Sequence, residues 1–151
     1  MSQEDMDLDL DLGFEIEVQE ELAPLGSIAP GRYTAKIDGR PTIGVSTRGK
    51  YAGKKSVAFR YKIVSDGEFK GRVRTKDVPL VPELSWVISQ VFKAALGEEA
   101  RAVRTNTELV QALEDCSEKL VDLEIGERAG TDRDGNSKMF DDIKRVRSVR
   151  I

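Results

Sequence analysis

The chain has 151 residues with 24 basic and 27 acidic side chains, a formal charge of −3, one cysteine and no histidine. This length suits one domain, no apolar run approaches the roughly 18 residues of a membrane helix, and Cys116 alone permits neither an internal disulfide nor a cysteine zinc cluster. The missing histidine removes the commonest metal ligand and general base, so most familiar hydrolase and zinc chemistries are excluded and no cofactor is implied. The acidic start lacks the charged-then-apolar order of a secretory signal, and a cytoplasmic location with no membrane association is the expectation.

The near-neutral total hides a division. Residues 1–23 hold nine acidic and no basic side chains, Gly31 to Lys76 holds thirteen basic and three acidic, and Asp77 to Ile151 holds eleven basic and fifteen acidic. A basic segment joined to an acidic one is a footprint of polyanion binding. A solvated basic surface without a ligand is the plainer alternative.

Residues 1–27 form an acidic appendage. Leu8, Leu10, Leu12, Phe14, Ile16 and Val18 alternate with Asp7, Asp9, Asp11, Glu15 and Glu17, a strand pattern with an acidic face. The segment is short, highly charged and set off by Pro24, Gly26 and Pro30, so it is expected to be either disordered or an added strand that finds a sheet edge or a basic groove. The domain proper is expected over 28–151.

Arg32 to Asp38 predicts a first strand, followed by a long loop from Gly39 to Lys55. Val57, Phe59, Tyr61 and Ile63 alternate with Ala58, Arg60, Lys62 and Val64, which predicts a strand with an apolar inner face. Phe69 to Lys76 predicts the partner strand of a hairpin. A three-residue loop, Ser65 to Gly67, would pair Ile63 with Phe69, Tyr61 with Gly71 and Phe59 with Val73. In that register Arg60, Lys62, Lys70, Arg72 and Arg74 share the outer face, and their mutual repulsion would be relieved by a polyanion or by the acidic appendage.

Pro79 and Pro82 end the strand, and Glu83 to Leu96 shows helical spacing at Leu84, Val87, Ile88, Val91 and Ala95. Gly97 suits its C-terminal cap, and Thr105-x-x-Glu108 predicts a capping box opening a second helix with Leu109, Val110, Leu113 and Cys116 on one face. Lys119 to Gly126 predicts a strand with Val121, Leu123 and Ile125 inward, and Thr131 to Ser137 a turn. Met139 to Ile151 is expected to be the last strand, although Ile143, Val146 and Val149 also fit helical spacing.

Three strands, a helical segment and two strands is the order of a mainly β, five-stranded OB-type Greek-key barrel with its helix between strands 3 and 4. Such barrels bind single strands around strands 2 and 3, where the cationic face is predicted. Cations to track phosphates are plentiful: Arg60, Lys62, Lys70, Arg72 and Arg74 on the hairpin, with Arg48, Lys50, Lys54 and Lys55 in the loop. Aromatic rings for base stacking are fewer. Tyr33 and Tyr51 are the candidates, while Phe59, Tyr61 and Phe69 point to the interior. Trp86 projects from the helix opposite Leu84, Ile88 and Val91, and either covers the barrel or the appendage or meets a partner.

Catalysis is not expected. Asp132 to Asn136 lacks the glycine and glutamate positions of a calcium loop and predicts a hairpin turn. Asp141 and Asp142, adjacent on a strand, point to opposite faces and lack the companions of a magnesium site. Cys116 sits on an apolar stripe and suits a core position.

Pro30-Gly31-Arg32-Tyr33, Phe59-x-x-x-Ile63 leading into Gly67-x-Phe69-Lys70-Gly71-Arg72-Val73, and Phe140-Asp141-Asp142-Ile143-Lys144-Arg145-Val146 resemble a family of small bacteriophage proteins from replication and recombination gene clusters. The resemblance spans residues 28 to 147 and implies an OB-like fold and single-stranded DNA binding. An acidic tail in single-strand binders is usually C-terminal, whereas here the acidic segment is N-terminal. The leading expectation is a largely sequence-independent single-stranded DNA-binding protein, with replication or recombination proteins as further partners through residues 1–23. The alternative is an interaction or inhibitor module whose acidic strand engages a partner. Homo-oligomerisation is compatible with either.

Overall fold

The structure is a computed structural model that describes residues 27–47 and 49–149; the acidic alternation of residues 1–23 and Arg48 lie outside the described residues. Six strands, β1 (Gly31–Ile37), β2 (Thr42–Val45), β3 (Lys55–Ile63), β4 (Val73–Pro79), β5 (Leu120–Thr131) and β6 (Ser137–Arg147), join in one antiparallel sheet. Helices α1 (Ser85–Leu96) and α2 (Asn106–Cys116) lie in the chain between β4 and β5. Among the described residues no helix is long and apolar enough to cross a membrane.

Period-two alternation builds the core as predicted on β3 and β5. Val57, Phe59, Tyr61 and Ile63 are buried together with Val121, Leu123 and Ile125, and β1 adds Ala35 and Ile37. On α1, Ile88, Val91 and Phe92 are buried, and the helix packs on β6 and β5. Fully burying each such side chain contributes about 1.5–3 kcal/mol. Gly97 closes α1 at a positive φ (58°), where a side chain would be strained. The Thr105 capping box forms: Thr105 Oγ1 accepts from the Glu108 N–H at 3.1 Å, and Glu108 Oε1 accepts from the Thr105 N–H at 3.1 Å.

Strand β2 falls inside the predicted loop. It is four residues long and exposed throughout, so no buried face marks it in the sequence. It continues β1 along one edge of β3: β1 pairs with residues 61–63 of β3 and β2 with residues 55–58. The other edge of β3 takes β4.

The register of the β3–β4 hairpin differs from expectation. Lys62 pairs with Val73, Tyr61 with Arg74, Arg60 with Thr75 and Phe59 with Lys76. This is three residues away from the predicted register, and an odd shift exchanges the faces of a strand. Two contacts lengthen the loop. The Val64 and Ser65 N–H groups donate to Thr34 O on β1 (2.8 and 3.1 Å), and Phe69 packs edge-on against Tyr33 with ring centroids 5.9 Å apart. Gly71 (φ 89°) then makes the turn into β4, with its N–H donating to Ile63 O at 2.8 Å.

A bulge resolves the ambiguity of the last strand. Glu124 pairs with Arg145 and Ile125 with Ile143, so Lys144 is the extra residue of β6. That extra residue brings both Ile143 and Val146 to the inner face, although they are three apart.

Candidate nucleic-acid interface

The five hairpin cations do not share a face, which corrects the sequence-based expectation. Arg60 and Lys62 point outward, while Arg74 lies on the side of Tyr61 and Phe59; Lys70 and Arg72 belong to the connecting loop. Arg60 Nε donates to Asp38 Oδ2 at 3.0 Å, and Lys70 Nζ to Asp66 Oδ1 at 3.1 Å. Arg72 stacks over Phe69, 5.8 Å from the ring centroid. Of the predicted loop residues, Lys50, Lys54 and Lys55 are exposed. Tyr51 is half-buried, with Lys50 Nζ 5.5 Å from its ring. Tyr33 is taken up by packing against Phe69 and by donating its hydroxyl to Ala29 O at 2.6 Å. Trp86 is 62 % exposed.

What the fold does bring together is a cleft of about 580 Å³ between β4 and β6. Among the described residues, β4 pairs with β3 alone and β6 with β5 alone, so two strand edges face each other across a seam. Side chains bridge it. Arg74 Nε donates to Asp141 Oδ1 and Nη2 to Oδ2, both at 2.9 Å, and Lys76 Nζ donates to Asp142 Oδ1 at 3.0 Å. Lys144 Nζ stands 3.4 Å from Asp142 Oδ2. Partial burial pushes the Asp141 carboxyl up, but Arg74 and the Ile28 N–H outweigh it and hold the group below the usual carboxylate range. Asp142 follows the same pattern: burial raises it, and Lys76 and Lys144 together bring it lower than an ordinary carboxylate. Both carboxylates are therefore ionised and engaged by cations.

The cleft's wall on the β5–β6 hairpin carries residues that sequence reasoning did not single out as a site. Phe140 pairs directly with Arg128, whose guanidinium carbon is 5.1 Å from the ring centroid, and Lys138 Nζ is 5.6 Å from it. The ring lies over Gly130, where a Cβ would meet it at 2.8 Å. Arg128 and Lys138 are exposed and Phe140 is half-buried. The hairpin turn itself was legible: Asp132 Oδ1 accepts from the N–H groups of Asp134 and Asn136, both at 2.9 Å. Extending its register backward would have placed Arg128 opposite Phe140, but ending the strand at Gly126 hid this. Among the described residues, four cations (Arg74, Lys76, Arg128, Lys138) against two carboxylates line the cleft, a net positive lining.

Burial pushes the Cys116 thiol up to about 12, and burial likewise raises the Tyr61 hydroxyl far above its ordinary range. No protein-family model matches the chain, and no curated protein is significantly similar to it.

Proposed function

We propose that this protein binds single-stranded DNA, largely without regard to sequence, along the seam between β4 and β6. The supporting observation is the cleft in which Arg74, Lys76, Arg128 and Lys138 surround the half-exposed Phe140 ring. Cations neutralise phosphates, and an aromatic ring offers a base a stacking surface that every nucleotide can use.

An OB-type barrel is the fold we infer behind the open sheet. If β1 and β2 count as one bent strand, the order becomes that of five strands with the helices after the third, and the pairings β1–β3, β3–β4, β1–β5 and β5–β6 follow it. Closure between the third and fifth strands would then be made by the Arg74–Asp141 and Lys76–Asp142 pairs. Barrels of this kind bind oligonucleotides on strands 2 and 3 with the loops after strands 1 and 4. Here those are β3, β4, the exposed lysines of residues 46–54 and the β5–β6 turn. The likeness to phage replication proteins suggests a role in phage DNA replication or recombination.

Fluorescence titration with oligothymidine at two salt concentrations tests the proposal. Log affinity is expected to fall with log salt at a slope of about −0.7 per phosphate neutralised. Absent or salt-independent binding refutes it. A second reading, a protein-interaction module, is favoured by Trp86, which borders an apolar groove of about 690 Å³ with Phe92, Val103 and Leu109. In that case Trp86→Ala abolishes a protein complex and leaves oligonucleotide affinity unchanged.

A further inference from the structure

The chain enters the described fold at the cleft itself. Ser27 lines the cleft, the Ile28 N–H donates to Asp141 Oδ2 at 2.9 Å, and the Ile28 side chain is buried. Everything N-terminal of Ser27 is thus tethered at the mouth of a net-positive site. That tether carries nine acidic and no basic side chains in its first 23 residues.

A second cleft of about 330 Å³ continues the first between β4, β6 and α1. The two share Lys76 and Ile143, and the second ends at Trp86. Its surface is chiefly apolar, with Val78, Leu84 and Val87 in its walls, and its charged lining is Lys76, Lys144 and Arg145 against the single carboxylate of Asp77. An apolar trough with a cationic margin fits a segment that is apolar on one side and acidic on the other. Residues 7–18 have that alternation: in an extended conformation Leu8, Leu10, Leu12 and Ile16 face one way and Asp7, Asp9, Asp11, Glu15 and Glu17 the other.

We propose that residues 7–18 fold back along the β4–β6 seam as an intramolecular occupant and compete with nucleic acid for it. The competition rests on the function proposed above; the docking does not. Eight residues lie between Val18 and Ser27, nine Cα steps that span at most about 30 Å, so Val18 can sit anywhere within that radius of the cleft mouth. A short tether supplies an effective concentration of about 1 mM, and a docking constant near 0.1 mM would then leave the seam open about one-tenth of the time.

The intact chain carries the test. A nitroxide on Gly13→Cys replaces neither an apolar nor an acidic side chain, and Cys116 is fully buried and stays unlabelled. At low salt the label is expected to broaden the amide signals of Lys76 and Lys144 and the indole signal of Trp86, the only tryptophan. In the same chain carrying Asp7→Asn, Asp9→Asn, Asp11→Asn, Glu15→Gln and Glu17→Gln the broadening is lost, and oligothymidine binds about tenfold tighter than to the parent. No broadening in the labelled parent overturns the proposal. Broadening with equal oligothymidine affinity in both chains overturns the competition. Broadening with no oligothymidine binding by either chain supports the docking and refutes the nucleic-acid function instead.

Discussion

The Arg74 guanidinium meets the Asp141 carboxylate fork to fork, both contacts 2.9 Å, across a seam where β4 and β6 share no ladder among the described residues. Asp141 also accepts the Ile28 N–H, so one carboxylate ties the entry of the chain to both sides of the cleft. The pair is largely shielded, with side-chain exposures of 30 % and 12 %. Such charge-assisted, two-point contacts are geometrically specific and stronger than neutral hydrogen bonds.

Asp141→Asn is expected to destabilise the fold by about 2 kcal/mol, because the two-point contact with Arg74 and the hydrogen bond from the Ile28 N–H both lose the carboxylate charge. Urea denaturation measures this. A cycle with Arg74→Met should show coupling of about 1 kcal/mol or more, and an additive cycle would mean that the pair does not hold the seam.

Acid should open the same seam. Asp141 and Asp142 have folded-state pKa values below their unfolded ones, so the unfolded chain binds more protons as the pH drops. Their contribution is complete above about pH 5 and is lost as pH falls below about 3.9 and through the lowered folded values. Melting temperature followed from pH 7 to pH 3 should decline less steeply in Asp141→Asn than in the parent.

Phe140→Ala is expected to weaken oligothymidine binding by about 1–3 kcal/mol if a base stacks on it. Lys138→Ala should lower the magnitude of the salt slope by about 0.7 with little change in stability, since its side chain is exposed. Arg60→Ala, on the opposite face and paired with Asp38, serves as the comparison and should change affinity less than Lys138→Ala. Equal effects of the two would move the binding face away from the seam.

Gly130→Ala probes the placement of the ring without touching a charge. Its Cβ would lie 2.8 Å from Phe140, so the ring must shift. A loss of affinity approaching that of Phe140→Ala is expected in the same titration, with the far-ultraviolet circular dichroism spectrum unchanged.

Thr105→Ala removes the side chain that caps α2 and should cost about 1 kcal/mol in thermal or urea unfolding. Oligothymidine affinity should not change, because α2 lies outside the β4–β6 cleft.

Several local features could be read from the chain because each depends on a few adjacent residues. The alternation at Val57, Phe59, Tyr61 and Ile63, the capping box at Thr105 and Glu108, the cap at Gly97 and the turn at Asp132 to Asn136 all form as the sequence predicts. The cationic hairpin face failed for the opposite reason. Its register depended on Thr34 and Tyr33, about thirty residues upstream, which capture Ser65 and Phe69 and lengthen the loop.

By itself, then, the sequence determined where charge accumulates, which strands and helices have a buried face, and where the chain must turn. Those properties follow from composition and from periods of two and 3.6 residues. Only the tertiary structure decided which cations meet which carboxylates, because an odd shift in one register exchanges the faces and because β4 and β6 are brought together by pairings elsewhere in the sheet. The cleft that gathers Arg74, Lys76, Arg128, Lys138 and Phe140 is a product of that long-range geometry, to which no single segment of the chain holds the key.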